Sequence, residues 1–290
     1  MDIFLGIIIP FLGTTLGSSL VFLLKDKLNN KIQKILLGFA SGVMIAASIW
    51  SLIIPSIDMS EHLAIKWLPA AIGFLAGIAF LLILDTFIPH LHLNESKPEG
   101  VKSNLKKTTM LLFAVTLHNI PEGMAVGVVL AGAYSGNTTL TVAGALTLAI
   151  GIAIQNFPEG SVVSFPLLKQ GFSKRKAFMY GFISGIFELL GTLVTLLFTN
   201  FVVAILPYML SIAAGAMMYV IVVELLPEST DKSRLNVIGF LIGFIINQYL
   251  GIELNIGVIY MFITYFKNIF EPINRLLENI EVVEEAHKEL

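Results

Sequence analysis

An all-α integral membrane protein with eight transmembrane helices is the fold that this sequence predicts, on three observations. Of its 290 residues 56% are hydrophobic and only 13% charged, against roughly a quarter charged in a soluble domain. Eight apolar runs approach or exceed the roughly 20 residues that a helix needs to cross a hydrocarbon core of about 30 Å. The basic residues also alternate: 14 of the 18 Lys and Arg fall in the odd-numbered connections, and of the even ones only the second carries any, Lys66. By the positive-inside rule the odd loops are cytoplasmic, which puts both termini outside.

The first span, near 3–24, opens on Met1-Asp2 with no basic stretch before the apolar run, so it reads as a retained helix rather than a secretory leader. The second, near 35–57, carries Ser48, Ser51 and Ser56, whose hydroxyls could line an entrance or bond to their own helix. Asp58, Glu61 and His62 follow in a short loop that reads as solvated. The third, near 68–89, contains Gly73-x-x-x-Gly77, a pattern that lets helices approach closely. Asp85, His90 and His92 cluster at its end.

The fourth and fifth spans, near 109–131 and 140–168, break the apolar pattern in the same way. One holds Leu117-His118-Asn119-Ile120-Pro121-Glu122-Gly123, the other Ile154-Gln155-Asn156-Phe157-Pro158-Glu159-Gly160. Side chains three and four residues apart share a helix face, so His118, Asn119 and Glu122 converge, as do Gln155, Asn156 and Glu159. Pro121 and Pro158 have no amide hydrogen and free the carbonyls of Leu117 and Ile154. The sixth span, near 176–200, contains Gly181-x-x-x-Gly185 and then Glu188 between apolar neighbours. The seventh, near 205–226, holds Glu224 just before Leu226-Pro227, and the eighth, near 236–252, is followed by Glu253. Residues 1–252 thus read as one membrane domain. Residues 253–290 form a C-terminal extension in which Ile273, Leu276, Leu277, Ile280 and Val283 have the spacing of an amphipathic helix.

Ionisable residues inside a span are costly and mark functional sites. Two matched motifs plus Glu188 offer three carboxylates, an imidazole and amide oxygens, which together make a cation site. Nitrogen and oxygen ligands without sulfur suit Zn(II), Fe(II), Mn(II) and similar ions without choosing among them. The chain has no cysteine, which excludes a thiolate site. A net charge of -2 with no basic patch leaves no case for nucleic acid. No Gly-x-x-x-x-Gly-Lys-[Ser/Thr] loop and no His-Glu-x-x-His helix occurs, which removes the usual signatures of nucleotide-driven pumps and metallohydrolases. A metal-gated channel or a metal sensor remains compatible with the same residues.

The paired motif His118-Asn119-x-Pro121-Glu122-Gly123 and Asn156-x-Pro158-Glu159-Gly160 resembles that of the ZIP family, the Zrt- and Irt-like divalent metal transporters, in its bacterial form. The likeness covers residues 1 to about 250. It implies eight spans, with inverted three-helix groups around the fourth and fifth, in a multi-pass protein of the cell membrane that moves divalent metal toward the cytoplasm. It also implies a metal position at His118, Glu122, Gln155 and Glu159, and a second at Asn119, Glu122, Asn156, Glu159 and Glu188, bridged by the two motif glutamates. Many members have His in place of Gln155, and Asp is known in place of Asn156. Asp85, His90 and His92 resemble an exit site, which Glu224 could reach; the alternative is interfacial side chains extended to water. The implied cargo is Zn(II), with Cd(II), Fe(II) and Mn(II) as further ions, the lipid bilayer is the one macroscopic partner, and a homodimer is compatible with the sequence.

Overall fold

A computed structural model describes residues 2–23, 29–91, 98, 100–102, 105, 107–229 and 234–251. The expected C-terminal extension and His92 lie outside these described residues.

The described residues fold into helices and short connections. The long ones are α1 (Asp2–Leu23), α2 (Asn30–Ala47, continued by Ser48–Ile53 and Ile54–Met59), α3 (Leu68–Phe87) and α4 (Lys107–Tyr134). They are followed by α5 (Val142–Lys169), α6 (Lys174–Leu197), α7 (Leu206–Val220, continued by Ile221–Leu225 and Leu226–Ser229) and α8 (Leu235–Gly251). A short helix, Thr199–Ala204, bridges α6 and α7. Six of them, α1, α2, α3, α5, α6 and α7, are long and apolar enough to cross a membrane. Helix α4 is 28 residues long but carries His118, Asn119 and Glu122 midway, and the apolar part of α8 is short, Leu235–Gln248.

Helix starts follow local chemistry. Asn29, Thr141 and Ser173 each accept a hydrogen bond from the first turn of α2, α5 and α6, satisfying amides that a helix leaves unpaired. Gly171, at φ +90°, makes the left-handed turn between α5 and α6 that other residues resist.

Two stretches depart from the expected α-helix. Ser48–Ile53 in α2 and Ile221–Leu225 in α7 are π-helical, closed by Ile54 N–H to Ile49 O and Leu226 N–H to Ile221 O. Each ends just before a proline, Pro55 or Pro227. A proline ring crowds the carbonyl four residues earlier and has no N–H to offer it, and one wider turn absorbs that conflict. Helices α4 and α5 instead continue as α-helix through Pro121 and Pro158.

Packing rests on glycine. A Cβ on Gly17 of α1 would sit 1.9 Å from Phe157 O of α5, and one on Gly123 of α4 only 2.1 Å from Glu188 O of α6. The α2–α8 and α3–α7 crossings use Gly38, Gly42, Gly239 and Gly243, and Gly73, Gly77 and Gly215, in the same way. Gly181 and Gly185 face Ser18, Phe11 and Thr14 of α1, so the small-residue pairs serve packing as expected. The closest packings are α1–α5, α2–α8, α3–α7 and α4–α6, with α1–α6, α2–α5 and α4–α7 next. Exchanging α1 with α6, α2 with α7, α3 with α8 and α4 with α5 maps this set onto itself.

Ser56 Oγ donates to Pro207 O at 2.6 Å, so it fastens α2 to α7 rather than bonding its own helix. Ser48 is buried with its hydroxyl against Met217 Sδ. In the loop after α2, Glu61 pairs with Lys66 at 3.6 Å with both side chains largely exposed, as a solvated loop should.

Candidate metal-binding site

The two motifs face each other across α4 and α5, and α6 closes the third side. Gln155 Nε2 donates to Glu122 Oε1 at 2.7 Å, joining α5 to α4. Asn156 Nδ2 donates to Glu188 Oε2 at 2.9 Å, joining α5 to α6. Asn119 Nδ2 donates to Ser184 O at 2.7 Å, and Thr192 Oγ1 to Gly123 O at 2.9 Å, joining α4 to α6. Glycine at position 123 lets α6 come near enough for these bonds to form.

Asn119, Glu122, Gln155, Asn156 and Glu188 are buried, each 2% exposed or less, and Glu159 is half-buried. Carboxylate and carbonyl oxygens only accept, so each amide turns its NH2 toward its partner. Gln155 Oε1 and Asn156 Oδ1 then point the other way. Those two atoms, with Glu122 Oε2, Glu159 Oε1 and Glu188 Oε1, are buried with no hydrogen-bond donor among the described residues. One such orphaned oxygen costs about 1–3 kcal/mol. Five of them, one from each of five residues in two facing motifs, form a set of hard donors suited to a partly dehydrated cation.

His118 also has a partner on α7. Its Nε2 lies against Glu224 Oε2, which ties α4 to α7 and brings Glu224, buried within the π segment, to the paired motifs. Asp85 and His90 do come together, with Nε2 to Oδ1 at 3.1 Å. No three His, Cys, Asp or Glu side chains among the described residues gather closely enough to hold a metal by themselves, so a site here depends on the Asn and Gln amides. Sequence reasoning missed the Ser184 carbonyl and Tyr219, whose hydroxyl donates to Asp85 Oδ2 at 2.8 Å. A lone phenol in an apolar helix gives no signal of its partner.

A family profile described as ZIP Zinc transporter matches residues 94–250. Zinc transporter ZIP11 of Xenopus tropicalis is 32% identical, over 86% of this chain and 96% of its own. Zinc transporter ZIPB of Bordetella bronchiseptica is 32% identical over 84% and 78%. Zinc transporter ZupT of Clostridium perfringens is 31% identical over 84% and 92%.

The chain belongs to the ZIP family.

Membership, together with six span-competent helices, makes it a multi-pass membrane protein of a metal-transport family. The match to the family profile spans both motifs, Glu188 and Glu224, while Asp85 and His90 fall before its first residue. The ZIP relatives compared are named as transporters, and none as an enzyme.

Proposed function

We propose that this ZIP protein is a carrier, not an enzyme, that takes Zn(II), with Cd(II), Fe(II) and Mn(II) as further cargo, across the cell membrane toward the cytoplasm. The observation that carries the reading is the set of five buried oxygens without donors in the two facing motifs. A cation that sheds water there is compensated by charge and dipole at once. The relatives named as zinc transporters support Zn(II) as the principal ion.

Two adjacent metal positions share Glu122 and Glu159. The first adds Gln155 and His118, the second Asn119, Asn156 and Glu188. Neutral amides stand where charged or basic ligands are known in the family, so the second position holds its ion loosely and fills in transit. Glu224, in contact with His118, receives the ion next, and Asp85, His90 and His92 pass it to the cytoplasm.

Eight spans with both termini outside fit the alternation of basic loops. Inverted groups α1–α3 and α6–α8 around α4 and α5 are supported by the packing set, which is unchanged by exchanging the two groups. The paired π segments before Pro55 and Pro227 fall on α2 and α7, which that exchange makes equivalent. Proteoliposomes test the reading: saturable Zn(II) uptake, competed by Cd(II), Fe(II) and Mn(II), is expected of a carrier. Uptake that rises linearly with concentration would mean a pore, and none would mean a sensor.

A further inference from the structure

Gly123 and Gly160 end the two motifs at the same place, and each lets a neighbouring helix pass close by. A Cβ on Gly123 of α4 would lie 2.1 Å from Glu188 O and 3.0 Å from Thr192 N of α6. One on Gly160 of α5 would lie 2.1 Å from Thr14 O and 2.9 Å from Ser18 N of α1. The hydroxyls repeat the match: Thr192 Oγ1 donates to Gly123 O at 2.9 Å, and Ser18 Oγ to Gly160 O at 3.1 Å. Thr14 therefore holds on α1 the position that Glu188 holds on α6.

A transporter built from matching halves keeps its substrate site where they meet, so the counterpart of a ligand is expected to face the same space. Thr14 does so. It is buried at 2% exposure, and its hydroxyl stands beside the Glu188 carboxyl. Gly185, three residues before Glu188, leaves it room, since a Cβ there would lie 3.3 Å from Thr14 Cβ. Asn156 Nδ2 holds Glu188 Oε2 at 2.9 Å. Glu188 Oε1 and Thr14 Oγ1 are both buried without a hydrogen-bond partner among the described residues. A hydroxyl is costly to bury in that state, and packing gives no reason for it, because a valine would fill the same space. Its oxygen has two lone pairs and is a hard donor, like the carboxylates and amides around it.

We propose that Thr14 is a ligand of the second metal position, presenting its hydroxyl oxygen to the ion from α1 beside Glu188. The proposal rests on the metal reading of the paired motifs above, and adds a side to the site that the motifs and α6 leave open. Threonine in an apolar helix carries no charge to mark it; only its equivalence to Glu188 does.

Zn(II) titration of the full chain in detergent tests this, in a His118→Ala background that removes the imidazole of the first position. Thr14→Val should weaken Zn(II) about 10-fold, the loss of one contact to a charged group, while Thr14→Ser stays near its parent. Without metal, Thr14→Val should melt no lower than its parent, since an apolar group of the same shape replaces an orphaned hydroxyl. Unchanged Zn(II) affinity in Thr14→Val would overturn the proposal, whatever happens to its melting. If Thr14→Val lowers both, Thr14→Ser decides: parent-like affinity upholds the hydroxyl, and an equal loss in Thr14→Ser overturns it. In a Glu188→Ala background Thr14→Val should weaken Zn(II) further; no further loss would make the hydroxyl a mere support of Glu188 and overturn its role as ligand. No Zn(II) binding by the unmutated protein would remove the metal site and this ligand with it. Binding without flux would defeat the carrier reading alone, and the titrations would still decide Thr14.

Discussion

Gln155 donates its amide hydrogen to Glu122 Oε1 at 2.7 Å, and the oxygen of the same amide is left buried without a donor. The bond holds two motifs in register from adjacent helices while turning a ligand atom toward the space between them. Gln155→Ala would leave the buried Glu122 carboxylate without that donor, at a cost of about 1–3 kcal/mol. Thermal unfolding in detergent should shift down by several degrees, and Zn(II) flux should fall at least about 10-fold, since 1.4 kcal/mol already corresponds to that factor.

Asn156→Asp replaces the NH2 that faces Glu188 with a second acceptor. Two buried carboxylates then face each other, and like charges disfavour the unloaded site. The variant should melt below wild type without metal, and gain more than wild type when Zn(II) is added. Equal gains in the two proteins would mean that position 156 does not meet the ion.

Gly123→Ala puts a methyl group 2.1 Å from Glu188 O. Helices α4 and α6 must separate, with an expected loss of about 1–3 kcal/mol, and the Thr192–Gly123 bond should go with it. Lower melting by fluorescence-detected gel filtration, together with impaired flux, is the predicted outcome; wild-type behaviour in both would show that the crossing has slack.

Deleting Val222 from the π segment of α7 removes its extra residue. The part of α7 before the deletion then turns by about 100° relative to Glu224 and Pro227, parting Tyr219 from Asp85 or Glu224 from His118. Flux should drop as far as in Glu224→Ala while the protein still inserts and purifies as a single species. Flux near wild type would show that the wider turn does not set the direction of Glu224.

Much of this arrangement was legible in the sequence. The motifs name their own faces, because three-and-four spacing puts Glu122 with Asn119 and Glu159 with Gln155 and Asn156. Glu188 declared itself as a charge in an apolar run. Partners across helices were harder to see: His118 meets Glu224, Ser56 meets Pro207 and Tyr219 meets Asp85 because glycine contacts fix how each helix is rotated, and rotation leaves no trace in hydropathy. The π segments escaped for a related reason, since a wider turn has the same apolar composition as the helix around it and only the proline that follows hints at it.

The central claim is that the paired motifs bind and carry the ion. Uptake of radioactive Zn(II) into proteoliposomes, with the purified protein compared against Glu122→Ala/Glu159→Ala, tests it most directly. Saturable uptake by the wild type and only background uptake by an equally well inserted double variant is the predicted result. Equal uptake by the two proteins would contradict it.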